Sequence, residues 1–196
     1  MGVKLLRHNF YDHKPWNNGG GMTRDVWLWP EATSQDGFDI RLSLASIDAD
    51  GPFSAFPEID RTITLVEGNP FVLVFDGTRQ HKMEFLQPIS FDSAQTPSSR
   101  LDRGSASAFN VMTRRACWSH EVSIVRGGGR LDVPLPKDAI AVCHAVQGNW
   151  QVGAGEAVTA DISDSVIVQR EGSMQLETDR TASAVMAVFQ PVRDRP

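Results

Sequence analysis

The sequence predicts an all-β protein of barrel or double-sheet jelly-roll type, and three observations lead to that class. Short apolar runs of strand character recur along the chain, each closed off by Gly, Pro, Asn or Asp. Helical periodicity is missing: no window of about twelve residues keeps apolar positions at i, i+3, i+4 and i+7 without an internal Pro or Gly. A strand, Gly-Asn turn, strand plan occurs twice, around Gly68-Asn69 and around Gly148-Asn149.

The runs follow in order. Phe38, Ile40, Leu42 and Leu44 alternate with Asp39, Arg41, Ser43 and Ala45, the period of two expected of a half-buried strand. Thr62 to Val66 reads as a strand. Phe71 to Phe75 is apolar on both parities and stops at the turn signal Asp76-Gly77. Ser90 to Ser107, rich in Ser, Ala, Asp and Arg, reads as a long surface loop. Further strands are expected at Val122 to Val125, Ala139 to Val146, Ser165 to Gln169 and Ala184 to Phe189, with Gly127-Gly128-Gly129 as a hairpin connection. The doubling suggests two units, 1–117 and 118–196, with strands exchanged between them.

Composition narrows the function. Apolar residues at 41% and charged residues at 22% suit a globular core rather than a disordered chain. A net charge of -5 argues against a general nucleic-acid surface, which needs clustered cations to neutralise phosphates. No apolar stretch approaches the roughly 20 residues that span a bilayer, and no N-terminal run looks like a signal peptide. Cys117 and Cys143 make no disulfide scaffold. The cytoplasm is the expected compartment. Arg outnumbers Lys, which occurs only at Lys4, Lys14, Lys82 and Lys137; planar carboxylate recognition would use such a bias.

Candidate chemistry is sparse. His8, His13, His81, His120 and His144 include no His-x-His pair, His120-Glu121 opens no zinc-helix motif, and Cys143 and His144 should face opposite sides of a strand. Neither a metal nor another cofactor is expected. There is no Gly-x-Ser-x-Gly elbow, and neither cysteine has an activating context. An acid–base pair would have to use Tyr11 with His8 or His13 or a distant partner. The run Trp16-Asn17-Asn18-Gly19-Gly20-Gly21-Met22-Thr23-Arg24 either exposes successive amides to an anion or is a turn. Asp39, Arg41 and Ser43 share one strand face, turned to solvent or to a cavity. Arg61 either joins Arg41, from a neighbouring strand, in clamping a carboxylate, or pairs with Asp60 or Glu58.

Four segments resemble the HutD/Ves family: residues 16–24, Phe38-Asp39-Ile40-Arg41-Leu42-Ser43-Leu44-Ala45, residues 51–61 beginning Gly51-Pro52-Phe53-Ser54, and Phe109-Asn110-Val111-Met112-Thr113-Arg114-Arg115. The resemblance implies a double cupin, two antiparallel jelly-roll barrels in one chain, in a bacterial cytoplasmic protein without established enzymatic activity. It implies a non-catalytic binder of a small carboxylate, of the urocanate or N-formylglutamate type, that regulates histidine or amino-acid catabolism. The alternatives are a cupin enzyme acting on a small polar metabolite, or a stress-response interaction protein. Asn17, Thr23, Arg41, Ser43, Ser54, Arg61 and Asn110 fall inside the matched segments and are the implied ligand-binding set. The expected partners are the carboxylate and at most a second copy of the chain, with no nucleic acid and no membrane. Ala108, where the family usually has Asp, and Phe91-Asp92-Ser93, where a Gly-Asp turn is usual, depart from the pattern.

Overall fold

The computed structural model describes residues 2–16, 19–31, 37–169, 171–178 and 181–193. The chain runs through β1 (Val3–Leu6), β2 (Asp12–Pro15), β3 (Gly21–Trp29), β4 (Ile40–Ile47), β5 (Gly51–Pro52), β6 (Ile59–Gly68), β7 (Phe71–Phe75), β8 (Arg79–Met83), β9 (Ile89–Asp92), β10 (Ser98–Leu101) and β11 (Ala106–Arg114). It continues through β12 (Trp118–Arg126), β13 (Gly129–Leu135), β14 (Ile140–Gln147), β15 (Trp150–Ala154), β16 (Glu156–Ala160), β17 (Ser165–Val168), β18 (Gly172–Thr178) and β19 (Ser183–Pro191). The only helical pieces among the described residues are two 3-10 turns, His8–Phe10 and Ser93–Gln95. No helix is long and apolar enough to cross a membrane.

Two compact units result, residues 12–117 and residues 1–11 with 118–196. In the first, a six-stranded sheet ordered β2-β3-β4-β11-β6-β9 packs on a four-stranded sheet ordered β5-β10-β7-β8. Their shared core joins Ile47, Ile63, Leu65 and Ala108 of the larger sheet to Phe71, Leu73, Phe75 and Met83 of the smaller. In the second, a five-stranded sheet ordered β1-β17-β14-β19-β12 packs on one ordered β13-β18-β15-β16. There Ala141, Cys143, Val166 and Val168 meet Trp150, Val152, Met174 and Leu176. All four sheets are open; none closes into a barrel.

The doubling seen in the sequence has a structural counterpart. Gly68 and Gly148 both take positive φ, +84° and +68°, and each carries the chain from a larger sheet to a smaller one, β6 to β7 and β14 to β15. The strand order β4-β11-β6-β9 in one unit matches β12-β19-β14-β17 in the other, and β5-β10-β7-β8 matches β13-β18-β15-β16.

Four expectations are corrected. Ser90 to Ser107 is no long loop: it holds β9, a 3-10 turn and β10, and the latter pairs with β5 and β7 through its backbone. Ser99 is buried there, its hydroxyl donating to the carbonyls of Ala49 and Gly51, so a strand forms with no apolar alternation to announce it. Gly127 to Gly129 connects β12 and β13, which lie in different sheets, so it is a corner rather than a hairpin turn. β4 is buried along both faces rather than one.

The first eleven residues, expected with the N-terminal unit, pair instead with the second. β1 runs antiparallel to β17, from Val3 opposite Val168 to Leu6 opposite Ser165. Beyond it, Tyr11 donates its hydroxyl hydrogen to the Ser163 carbonyl at 2.8 Å. The Asp164 side chain, fully buried, accepts from the His8 backbone N–H at 2.8 Å, the His8 ring at 2.9 Å, Arg7 Nη1 at 2.8 Å and the Asp161 N–H at 3.1 Å. Burial alone would push this carboxyl up, but the hydrogen bonds from His8, Arg7 and Asp161 outweigh it and hold its pKa below the ordinary carboxylate value.

Candidate functional site

The polar parity of β4 faces inward. Arg41, Ser43 and Ala45 point into a cavity of about 370 Å³ in the 12–117 unit, roughly the volume of a small-metabolite site. Strand register builds its floor. Ser43 lies opposite Asn110 on β11, while Arg41 and Arg61 both lie opposite Met112, one on each side. The two arginines are therefore not on neighbouring strands as expected; β11 separates them. β3 adds Thr23 opposite Ala45 and Asp25 opposite Ser43, then slips register between Asp25 and Trp27, which turns later residues to the other parity. Trp16, Phe53, Ser54 and Phe56 complete the wall, with Lys14 and Pro15 from β2.

Of the residues singled out from sequence, Thr23, Arg41, Ser43, Ser54, Arg61 and Asn110 all line this cavity. Asn17 lies outside the described residues. Ser54 is exposed, whereas Ser43, Asn110, Arg41 and Arg61 are each at most 5% exposed. Thr23 Oγ1 accepts from Trp16 Nε1 at 2.8 Å, which holds the indole in place.

The two guanidiniums are held by different chemistry. Arg41 is paired: its Nε donates to Asp25 Oδ1 at 2.9 Å and its Nη2 lies 2.7 Å from the same oxygen. Asp25 also accepts from Lys14 Nζ at 2.7 Å. Arg61 has no carboxylate partner among the described residues. Its Nε and Nη2 donate to the neutral Asn110 Oδ1 at 3.0 and 2.6 Å, and Asn110 Nδ2 donates in turn to the Ala108 carbonyl at 3.2 Å, fixing the amide's orientation. The rings of Phe53 and Phe91 lie 4.8 and 5.6 Å from its guanidinium carbon. Of the five guanidinium N–H donors, Asn110 takes two and the other three have no partner among the described residues. Burial, and after it the positive charge of Arg41, push the Arg61 pKa down to about 9. The group is therefore charged at neutral pH, in a setting that a bound anion would relieve.

Asp60 and Glu58 do not pair with Arg61. Asp60 accepts from Arg115 at 2.8 Å, and Glu58 lies 3.9 Å from Arg114. The described glycines of the glycine-rich run are engaged within the fold. Gly19 donates its N–H to the Trp16 carbonyl, the Gly20 carbonyl accepts from Asp48 and Ala49, and a Cβ on Gly21 would collide with the Ser46 carbonyl oxygen. These glycines close a turn and let β3 approach β4.

Tyr11, His8 and His13 are not cavity residues. Burial pushes the Cys143 thiol up to about 12, and burial followed by Asp39 raises Cys117, so both thiols are held protonated at neutral pH. Among the described residues no three His, Cys, Asp or Glu side chains come together as a metal site.

Sequence reading missed Asp25, Lys14 and the aromatic wall of Trp16, Phe53 and Phe56. The alternation Thr23, Asp25 on a strand held the signal for Asp25, but the glycine run before it drew attention to the turn instead.

Fold and site together define an all-β protein of paired sheets whose 12–117 unit holds a cation-lined cavity half open to solvent. The sequence model of HutD matches residues 8–186, and the chain belongs to the HutD/Ves family. It is 33% identical to Protein Ves of Escherichia fergusonii over 148 residues, covering 70% of each chain. The structure of HutD from Pseudomonas fluorescens SBW25 is similar with a TM-score of 0.82 at 27% identity, covering 97% of this chain and 100% of that one. A conserved protein of unknown function from Pseudomonas aeruginosa PAO1 gives a TM-score of 0.89 at 22% identity, covering 97% and 100%, and shares the fold.

Proposed function

We propose that this protein is a non-catalytic, cytoplasmic binder of a small carboxylate metabolite, of the urocanate or N-formylglutamate type, that regulates histidine or amino-acid catabolism. Each unit is read as a cupin jelly roll, on the strength of the shared strand order. One observation carries the binding assignment: Arg61, buried and charged, lacks a carboxylate partner among the described residues and has donors to spare at the cavity. Planar guanidinium donors match a carboxylate's two oxygens. The HutD structure from Pseudomonas fluorescens was determined in a formate condition, and formate is the smallest carboxylate. The described lining residues offer ammonium and guanidinium groups but no carboxyl, imidazole, thiol or phenol, which favours binding over acid–base turnover.

Isothermal titration of the full chain against urocanate, N-formylglutamate, histidine and glutamate tests the reading. Saturable heat with at least one of the carboxylates is expected, and flat heats with all four would remove it. Asn110→Asp sharpens the test. The new carboxylate would neutralise Arg61 from within while giving up the amide's bond to the Ala108 carbonyl, so a thermal melt accompanies the titration; in the folded variant affinity should fall by about tenfold or more, the scale of losing one charge-assisted pair. Unchanged affinity in that variant would place the ligand elsewhere.

A further inference from the structure

We propose that the cavity is charge-matched to a ligand carrying a single carboxylate, and that Asp25 sets this selection. The inference rests on the carboxylate-binding reading above and, within it, selects urocanate, which carries one carboxylate, over N-formylglutamate, which carries two. Among the described residues, three cations, Lys14, Arg41 and Arg61, stand against two carboxylates, Asp12 and Asp25. Asp25 is held by Arg41 at 2.7 Å and by Lys14 at 2.7 Å, and Asp12 lies 3.1 Å from Lys14. Among these described groups the charge left over is that of Arg61, buried on a neutral amide. A monoanion seated there brings the cluster to neutrality.

A second carboxylate meets a different situation. Arg41 and Lys14, the two cations it could use, are already engaged by Asp25, whose side chain is 5% exposed and whose backbone pairs with cavity-lining Ser43. A dianion must either displace Asp25 from both partners or lie near a like charge in a partly solvated site, and both are unfavourable. A neutral hydrogen-bonding end fares better. The Ser43 side chain, in a residue 2% exposed, has no hydrogen-bond partner among the described residues and can serve it as donor or acceptor. Asp25 thus acts through its field and through Arg41, as a specificity residue that need not touch the ligand. Rejection of the wrong ligand by a fixed like charge is a general route to discrimination.

The test uses matched probes that differ only in the second charge: glutarate with its half-amide glutaramate, and succinate with succinamate, titrated into the full chain at neutral pH. Wild-type protein should bind each half-amide about tenfold or more tightly than its diacid, the size of effect a like charge several ångströms away exerts in a partly screened site. In Asp25→Asn the diacids should gain about tenfold and the ratio should close or invert. Near-UV circular dichroism checks that the variant is folded; if it is not, the wild-type ratio decides alone. Diacids bound by wild type as well as their half-amides, or a folded Asp25→Asn with an unchanged ratio, overturn the proposal while leaving carboxylate binding intact. Silence from all four probes together with the flat heats described above overturns both.

Discussion

Arg61→Met is expected to weaken carboxylate binding by roughly 30-fold or more while leaving the melting temperature level or higher. Affinity should fall because truncating one partner of a buried charged hydrogen bond costs about 2–5 kcal/mol. Stability should not fall in parallel, because Arg61 makes no ion pair with a described carboxylate and its charge is held below its ordinary pKa by burial. Removing a buried unpaired charge in favour of an apolar side chain of similar length is neutral or stabilising. Against this, Asn110 Oδ1 loses its two donors, a cost of about 1–3 kcal/mol, so the net change should be small. Phe53 and Phe91, which flank the guanidinium, would pack the methionine instead. Titration calorimetry and a thermal melt on the same preparation separate the two effects. A variant that melts many degrees lower yet binds normally would mean that Arg61 is structural.

The second large effect belongs to the other unit. Asp164→Asn should destabilise the unit formed by residues 1–11 and 118–196 by about 3 kcal/mol, the range for breaking a buried charged network. One end of the new amide would present hydrogens to donors, where the carboxylate now accepts from His8, Arg7 and Asp161. The same group sets a pH dependence. Its folded pKa lies below its unfolded value of roughly 3.9, so the folded state binds the proton less tightly than the unfolded state does. The contribution is therefore present above the unfolded value and lost as pH falls through the folded one. Urea titrations at pH 7 and in steps below about pH 4 should show wild type approaching the variant only in acid. Carboxylate affinity should stay unchanged in Asp164→Asn. A difference between the two proteins that persists undiminished in strong acid would contradict this role for Asp164.

The strands were legible where side-chain alternation coincided with burial or with a turn residue of positive φ. Phe71 to Phe75, ending at Asp76-Gly77, is the clearest case, because burial, propensity and turn chemistry agree there. β10 was illegible because its pairing is a backbone matter: its residues are Ser, Ser, Arg and Leu, and the inward Ser99 is satisfied by carbonyls rather than by apolar neighbours. β1 was hidden for a different reason. Its four residues carry little pattern, and the strand they join lies about 160 residues away in sequence, from Val3 to Val168, a pairing that no local window reports.

At the cavity, the alternation of Arg41 and Ser43 identified one face but not which side of it was wet. Burial of both faces of β4 resolves this in favour of the cavity, since Ile40, Leu42 and Leu44 leave solvent as well. Asp25 stayed invisible because its function depends on a register slip in β3 and on a partner sixteen residues away. Which arginine would be neutralised and which left charged is decided by that contact. Sequence shows two arginines of equal chemistry; the fold gives one of them a carboxylate and the other an amide.

A crystal structure of the protein soaked with a bound carboxylate, acetate or a tighter ligand from the titrations, bears most directly on the central claim. A carboxylate oxygen within about 3 Å of an Arg61 nitrogen not used by Asn110, with the Arg41–Asp25 pair undisturbed, is the result expected. A ligand found on Arg41 with Asp25 displaced, or bound away from Arg61 altogether, would contradict it.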